Sequence, residues 1–85
     1  MIARILFRKG TPQEREAQSF KDSLGRYQVE AELVNYDGRE GSRLAKLYDI
    51  TASPAVILSR ASGEVVEQWS GSLPMAAEVS YLAHM

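Results

Sequence analysis

A proline directly before an apolar, β-branched run is the feature that most limits how this chain can fold. Pro54 precedes the run Ala55–Leu58. Because proline has no N–H to donate to a sheet, it belongs at the entry to a strand or in the turn before it. The proline ring also favours extended backbone at the preceding residue, Ser53. We therefore predict a strand over Ala55–Leu58 that begins immediately after Pro54.

The first part of the chain predicts a strand followed by a helix. Ile2–Phe7 is almost continuously apolar, which is typical of a short strand buried on both faces. A helix start follows at Thr11, which has the chemistry of an N-cap, with Pro12 in the first turn. Glu14 closes a capping box with Thr11. We expect this helix to end at Gly25.

A second strand and a second helix are predicted next. Apolar and polar residues alternate over Val29–Tyr36, which favours a strand. Since strand, helix and strand follow one another, we expect a right-handed crossover and parallel pairing with the first strand. Asp37 and Gly38 then form a loop into the second helix. Its apolar side consists of three residues, Leu44, Leu47 and Tyr48.

A hairpin and a last helix are predicted after the strand at Ala55–Leu58. Ala61–Gly63 is a short reversal into a fourth strand over Val65–Trp69, which pairs antiparallel with the third. Trp69 is expected to pack in or beside the core. Pro74 lies near the first turn of a third helix. One side of that helix repeats the apolar residues Met75, Val79 and Leu82.

These elements predict one small α/β domain over residues 1–85. Their order is βαβ, then α, then ββα, in a mixed four-stranded sheet with helices on both faces. A chain of 85 residues has room for a single core, and 45% hydrophobic with 25% charged residues is typical of a globular protein.

Composition also limits the chemistry and the partners. The chain has no cysteine, hence no thiol nucleophile and no disulfide, and its one histidine is too few for a metal centre. Ten basic and eleven acidic residues give a formal net charge of -1, which favours neither nucleic acid nor an anionic membrane as a partner. No apolar run approaches the roughly 18 residues of a membrane span. We expect a cytoplasmic protein without cofactor or metal.

The stretch Tyr48–Leu58, together with Gly63–Val66 and Gly71–Pro74, resembles the C-terminal half of thioredoxin. Val34–Asp37 and the helix after it are similar to the strand and helix that precede this half in the family. The resemblance implies the minimal thioredoxin-like fold, closest in length to glutaredoxin. It also implies that the peptide bond before Pro54 is cis.

The same resemblance locates a site. In thioredoxins and glutaredoxins a Cys-x-x-Cys motif lies between the first strand and the first helix, where Thr11 and Glu14 stand in this chain, with Pro12 as in glutaredoxin. Dithiol exchange is therefore excluded. In the family, the residue before the proline presents its backbone to an extended peptide or to glutathione, and Ser53 is the matching residue.

We predict a non-catalytic module that binds a peptide or protein partner in the groove that replaces the family's active site. The groove residues are Thr11, Pro12, Glu14, Ser53, Pro54, Gly71 and Ser72. Arg8 and Lys9 flank a helix N-terminus, which is a site that holds anions. The alternative for Thr11 and Glu14 is a capping box without any ligand.

Two other functions stay open. One is a cysteine-free glutathione-binding or transferase-like protein that uses the Thr11 hydroxyl to orient a substrate thiol. The other is a structural module that dimerises through the exposed edge of the second or fourth strand. We expect a monomer or a weak homodimer.

Overall fold

The computed structural model of the protein describes residues 1–85 and contains four strands and three helices. In chain order they are β1 (Ile2–Phe7), α1 (Pro12–Arg26), β2 (Glu30–Asn35), α2 (Arg39–Leu47), β3 (Ala55–Ser59), β4 (Val65–Ser70) and α3 (Ala76–Ala83). The predicted order of elements is confirmed, and each predicted strand is correct to within one residue at either end.

The four strands form one mixed sheet in the order β2-β1-β3-β4. β1 runs parallel to β2, with Ile5 opposite Leu33, and antiparallel to β3, with Ile5 opposite Val56. β4 runs antiparallel to β3, with a register shift at Leu58 and Ser59. The α/β class and the mixed sheet are as predicted, and β2 and β4 are the two edge strands.

Apolar side chains pack on both faces of this sheet. On one face, α1 and α3 cover a cluster of ten buried residues: Ala3, Ile5, Phe7, Ala17, Phe20, Leu24, Val29, Val56, Leu58 and Val79. On the other face, α2 covers a cluster of seven: Leu6, Val34, Leu44, Ala45, Ile50, Ala55 and Ile57. Helices therefore lie on both faces, as the element order predicts. None of the three helices has the length and apolar character needed to cross a membrane.

The start of α1 is capped at the predicted residue but with a different partner. Thr11 Oγ1 accepts a hydrogen bond from the Gln13 N–H at 3.2 Å, and Pro12 is the first helical residue. The Glu14 carboxylate accepts from the Gly10 N–H at 2.9 Å. In a capping box it would accept from the N–H of Thr11. Glu14 thus closes the turn before the helix.

The end of α1 was predicted wrongly at Gly25. The helix continues to a C-cap at Tyr27, and Gln28 takes the left-handed conformation with φ +61°. Gln28 N–H donates to Gly25 O at 3.0 Å, and Val29 N–H donates to Leu24 O at 2.9 Å. These two bonds define a Schellman motif. Since Leu24 and Val29 are both buried in the core, their packing determines where the chain turns.

Two residues predicted on apolar helix sides lie in solvent. Leu47 of α2 is 59% exposed, and Ala45 takes the buried position instead. Met75 is 74% exposed and is the N-cap of α3, which begins at Ala76. Pro74 directly precedes the N-cap Met75 and so lies near the first turn of α3, as predicted.

Candidate functional site

The predicted groove residues come from three loops that meet at one end of the sheet. Because β1 and β4 both run antiparallel to β3, Leu6 and Ser70 lie beside Ala55, at the start of β3. The N-terminus of α1, the loop before β3 and the loop after β4 therefore lie at this end. The residues that form it are Thr11, Pro12, Gln13, Ser53, Pro54, Gly71 and Ser72, and we call this area the Ser53 surface.

Two hydrogen bonds hold the three loops to one another. Gln13 Nε2 donates to Ser53 O at 3.2 Å, which connects α1 to the loop before β3. Gly71 N–H donates to Pro54 O at 3.0 Å, which connects that loop to the one after β4. The peptide bond between Ser53 and Pro54 is cis. Gly71 has φ +91°, a conformation in which glycine is strongly favoured over other residues.

Gln13 is the residue of this surface to which the sequence assigned no role. Its carboxamide bridges two backbone groups: Nε2 donates to Ser53 O, and Oε1 accepts from Arg8 N–H at 3.1 Å. Gln13 therefore connects the end of β1, the first turn of α1 and the loop before Pro54. The only local signal was its place in the first turn of α1, within reach of the preceding loop.

Ser53 presents one free backbone donor. Its carbonyl oxygen is taken by Gln13, while its N–H makes no hydrogen bond within the chain. Ser53 is half-buried and Pro54 is buried, whereas Gly71 and Ser72 are exposed. Ser53 therefore combines an N–H that is unpaired within the chain with a carbonyl that already accepts one bond.

The remaining groups at the start of α1 are already engaged. The Thr11 hydroxyl donates its proton to Arg8 O at 2.6 Å and accepts from Gln13 N–H. The Glu14 carboxylate is bound to the Gly10 N–H. This arrangement stabilises the loop and the helix start.

The two cations predicted to attract an anion differ in their surroundings. Arg8 Nη1 lies 2.7 Å and 3.0 Å from the two carboxylate oxygens of Asp37, and the guanidinium carbon lies 4.7 Å from the centre of the Tyr36 ring. Arg8 is therefore directed toward the loop after β2. Lys9 is exposed and pairs with no carboxylate.

No surface depression of the molecule is centred on Ser53. The largest, about 750 Å³, runs along the outer side of α1 from Thr11 to Asp22 and is lined only by residues of that helix and its cap. Of the predicted groove residues, Thr11, Pro12 and Glu14 line this depression. Ser53, Pro54, Gly71 and Ser72 do not. The Ser53 surface is consequently open and shallow.

The shifted pKa values of the protein belong to a pair outside this surface. Arg43 and Glu40 of α2 lie 2.9 Å apart, and the hydrogen bond from Arg43 holds the pKa of Glu40 below its ordinary value. The same bond raises the pKa of Arg43. The structure contains no group of three or more His, Cys, Asp or Glu side chains placed to hold a metal ion.

Comparisons with known proteins identify the fold. No protein-family model and no curated protein matches the sequence. Thioredoxin 1 from the thermophilic eubacterium Thermosipho africanus TCF52B matches 99% of this chain and 91% of its own, with a TM-score of 0.71 and 9% identity. A malarial protein of known structure matches 98% of this chain and 92% of its own, with a TM-score of 0.69 and 16% identity. The chain therefore has a thioredoxin-like fold, as the sequence resemblance implied.

Proposed function

We propose that this cysteine-free chain with a thioredoxin-like fold binds an extended segment of a peptide or protein partner at the Ser53 surface, without dithiol exchange. The observation that carries the proposal is the Ser53 N–H, which is unpaired within the chain although the loop around it is held by hydrogen bonds on both sides. An extended segment pairs with such a backbone donor through its own carbonyl groups.

The open shape of the surface also favours an extended segment over an enclosed small molecule. Small-molecule sites are clefts that bury most of the ligand and are lined mainly by apolar side chains. The depression along α1 has no apolar lining residue other than the ring of Pro12, and it does not extend to Ser53. A partner segment lying across Ser53 and Gly71 needs no cleft, because its main chain can pair with the Ser53 N–H on an open surface.

The test is a selection of random short peptides on the immobilised full chain. Binding of the selected peptides is then measured for two variants that place a bulky ring on exposed loops. Ser72→Trp covers the proposed surface, whereas Ser62→Trp, in the turn between β3 and β4 at the opposite end of the sheet, is the matched control. We expect Ser72→Trp to weaken binding at least about tenfold and Ser62→Trp to leave it unchanged. Equal binding by both variants would refute the proposed location.

Reduced glutathione distinguishes this function from a glutathione-binding one. In an amide chemical-shift titration we expect no saturable change at Thr11, Ser53, Gly71 or Ser72. Saturable changes confined to these residues would favour the glutathione-binding or transferase-like alternative. We further propose that the chain acts as a monomer in the cytoplasm, the monomer being favoured by the exposed Glu30 and Glu32 on the edge strand β2.

A further inference from the structure

The Gln13 carboxamide occupies the acceptor beside the free Ser53 N–H. When two antiparallel strands pair, a hydrogen-bonded pair of residues exchanges two bonds, with each residue both donating its N–H and accepting at its C=O. Here Gln13 Nε2 already donates to Ser53 O at 3.2 Å. The N–H of Ser53 is thus free for an incoming segment, whereas an incoming N–H must compete with Gln13 for Ser53 O.

The carboxamide is held at both of its ends. Displacing it from Ser53 O would also loosen the bond between Gln13 Oε1 and Arg8 N–H, which is 3.1 Å long. The backbone of Gln13 is fixed as well, since its N–H donates to Thr11 Oγ1. An incoming N–H therefore competes with an internal donor that is already in place.

An incoming residue opposite Ser53 meets competition at Ser53 O if it carries an N–H. It displaces the Gln13 carboxamide, or it must share the lone pairs of Ser53 O with Gln13 Nε2, or its own N–H is left without that partner, and each of these outcomes weakens the contact relative to an unoccupied carbonyl. Proline avoids this cost, because it has no N–H while its carbonyl still accepts from Ser53 N–H. The same holds for any N-alkylated residue.

We propose that Gln13, by bridging Arg8 N–H and Ser53 O, makes the Ser53 surface selective for segments with proline opposite Ser53. The inference rests on the proposed function, because it assigns a sequence preference to the partner of that same surface. Gln13 is here a specificity-determining residue, and the partner is a proline-containing extended segment.

The experiment repeats the random-peptide selection with the full-length wild type and with Gln13→Ala. A selected peptide is then synthesised in two forms, with proline or with alanine at the preferred position, and the dissociation constants of both forms are measured. For the wild type we expect the proline form to bind about three- to tenfold more tightly, the worth of one hydrogen bond. In Gln13→Ala we expect this ratio to fall to about one, mainly because the alanine form binds more tightly.

Two further variants support the interpretation. Gln13→Glu keeps the length of the side chain but has no N–H to donate to Ser53 O, so we expect the same loss of preference. The carboxylate of Gln13→Glu adds a charge that acts on both peptide forms. Its effect therefore cancels in the ratio of their dissociation constants. Gln18→Ala, on the outer side of α1 where Gln18 Nε2 donates to Asp22, is the control and is expected to keep the wild-type ratio.

The outcomes separate the two proposals. If peptides bind at the Ser53 surface and the proline preference is absent, or is unchanged in both Gln13 variants, the role of Gln13 is overturned while the binding function stands. If no peptide binds the wild type or Gln13→Ala at this surface, the binding function is overturned and the inference with it.

Discussion

Gly41 allows α2 to approach the end of β2 closely. A Cβ at this position would overlap the carbonyl oxygen of Asn35 and come 2.9 Å from the Cα of Tyr36. Gly41 is buried, and the atoms it meets belong to the backbone, which has little freedom to move aside. The absence of a side chain at Gly41 is therefore a condition for packing α2 on the sheet.

We expect Gly41→Ala to lower the free energy of unfolding by about 3 kcal/mol, because the helix must move away from β2 to admit the methyl group. Gly25→Ala is the matched control, since a Cβ at Gly25 in α1 meets no atom within 4 Å. That control should raise the free energy of unfolding by about 0.5–1 kcal/mol through helix propensity. Urea unfolding measures both, and an unchanged stability of Gly41→Ala would contradict the close approach.

The role of a single residue was predictable only where its partner is close in sequence. Thr11 was correctly predicted as a cap, because its acceptor role depends on an N–H two residues away. The bond from Gln13 to Ser53 joins residues 40 positions apart, and no local pattern indicates it. The exposure of Leu47 was likewise missed, since it depends on how α2 is rotated against the sheet.

At the scale of one element, α2 carries the pair Glu40 and Arg43 on its exposed side. The hydrogen bond from Arg43 holds the pKa of Glu40 below the ordinary value for a glutamate side chain. A lowered pKa in the folded state means that the pair stabilises the protein above the unfolded pKa, and that this contribution is lost as the pH falls through the folded pKa. Acidification therefore weakens α2 through this pair.

We predict that Arg43→Met returns the pKa of Glu40 to its ordinary range, because the hydrogen bond from Arg43 is the largest cause of the shift. Arg39→Met is the control: Arg39 lies on the same helix and does not contribute to the shift. An NMR titration of the Glu40 side-chain carboxyl measures the pKa in each variant. A Glu40 pKa that stays low in Arg43→Met would show that another group causes the shift.

The elements themselves were largely predictable, and their ends were less so. The strands follow local alternation and apolar runs, and Pro54 correctly marked the entry to β3. At the end of α1, Val29 N–H donates to Leu24 O and both residues are buried in the core, and this arrangement outweighs the preference of Gly25 for a helix end. A glycine in the last turn of a helix therefore does not by itself fix where the helix ends.

At the scale of the whole molecule, the free edges of β2 and β4 decide whether two copies can pair. On the edge strand β2, Glu30 and Glu32 are exposed. On the edge strand β4, the Glu67 carboxylate accepts a hydrogen bond from the Gln68 N–H at 3.0 Å. Charged residues on an edge disfavour pairing with a second chain. Both edges thus oppose the dimerising module that the sequence left open.

We accordingly predict a monomer whose mass in sedimentation equilibrium does not change with protein concentration. Glu30→Thr, which removes one edge charge and adds a strand-forming residue, should increase any tendency to associate. The control Glu16→Thr lies on the exposed side of α1 and should have no such effect. A wild-type mass that rises to twice the monomer value would restore the dimer hypothesis.

The unequal cover of the two sheet faces has a consequence for how the molecule opens. The smaller of the two buried clusters is covered by one short helix, α2. The Tyr36 hydroxyl donates to Ile50 O at 2.9 Å, and this bond connects the loop after α2 to the end of β2. Regions with fewer buried contacts exchange their amide hydrogens through local opening, at a lower free energy than global unfolding. We expect amides of α2 to exchange with deuterium faster than those of α1, and faster still in Tyr36→Phe. α2 is then the part that detaches while the sheet, α1 and α3 stay folded.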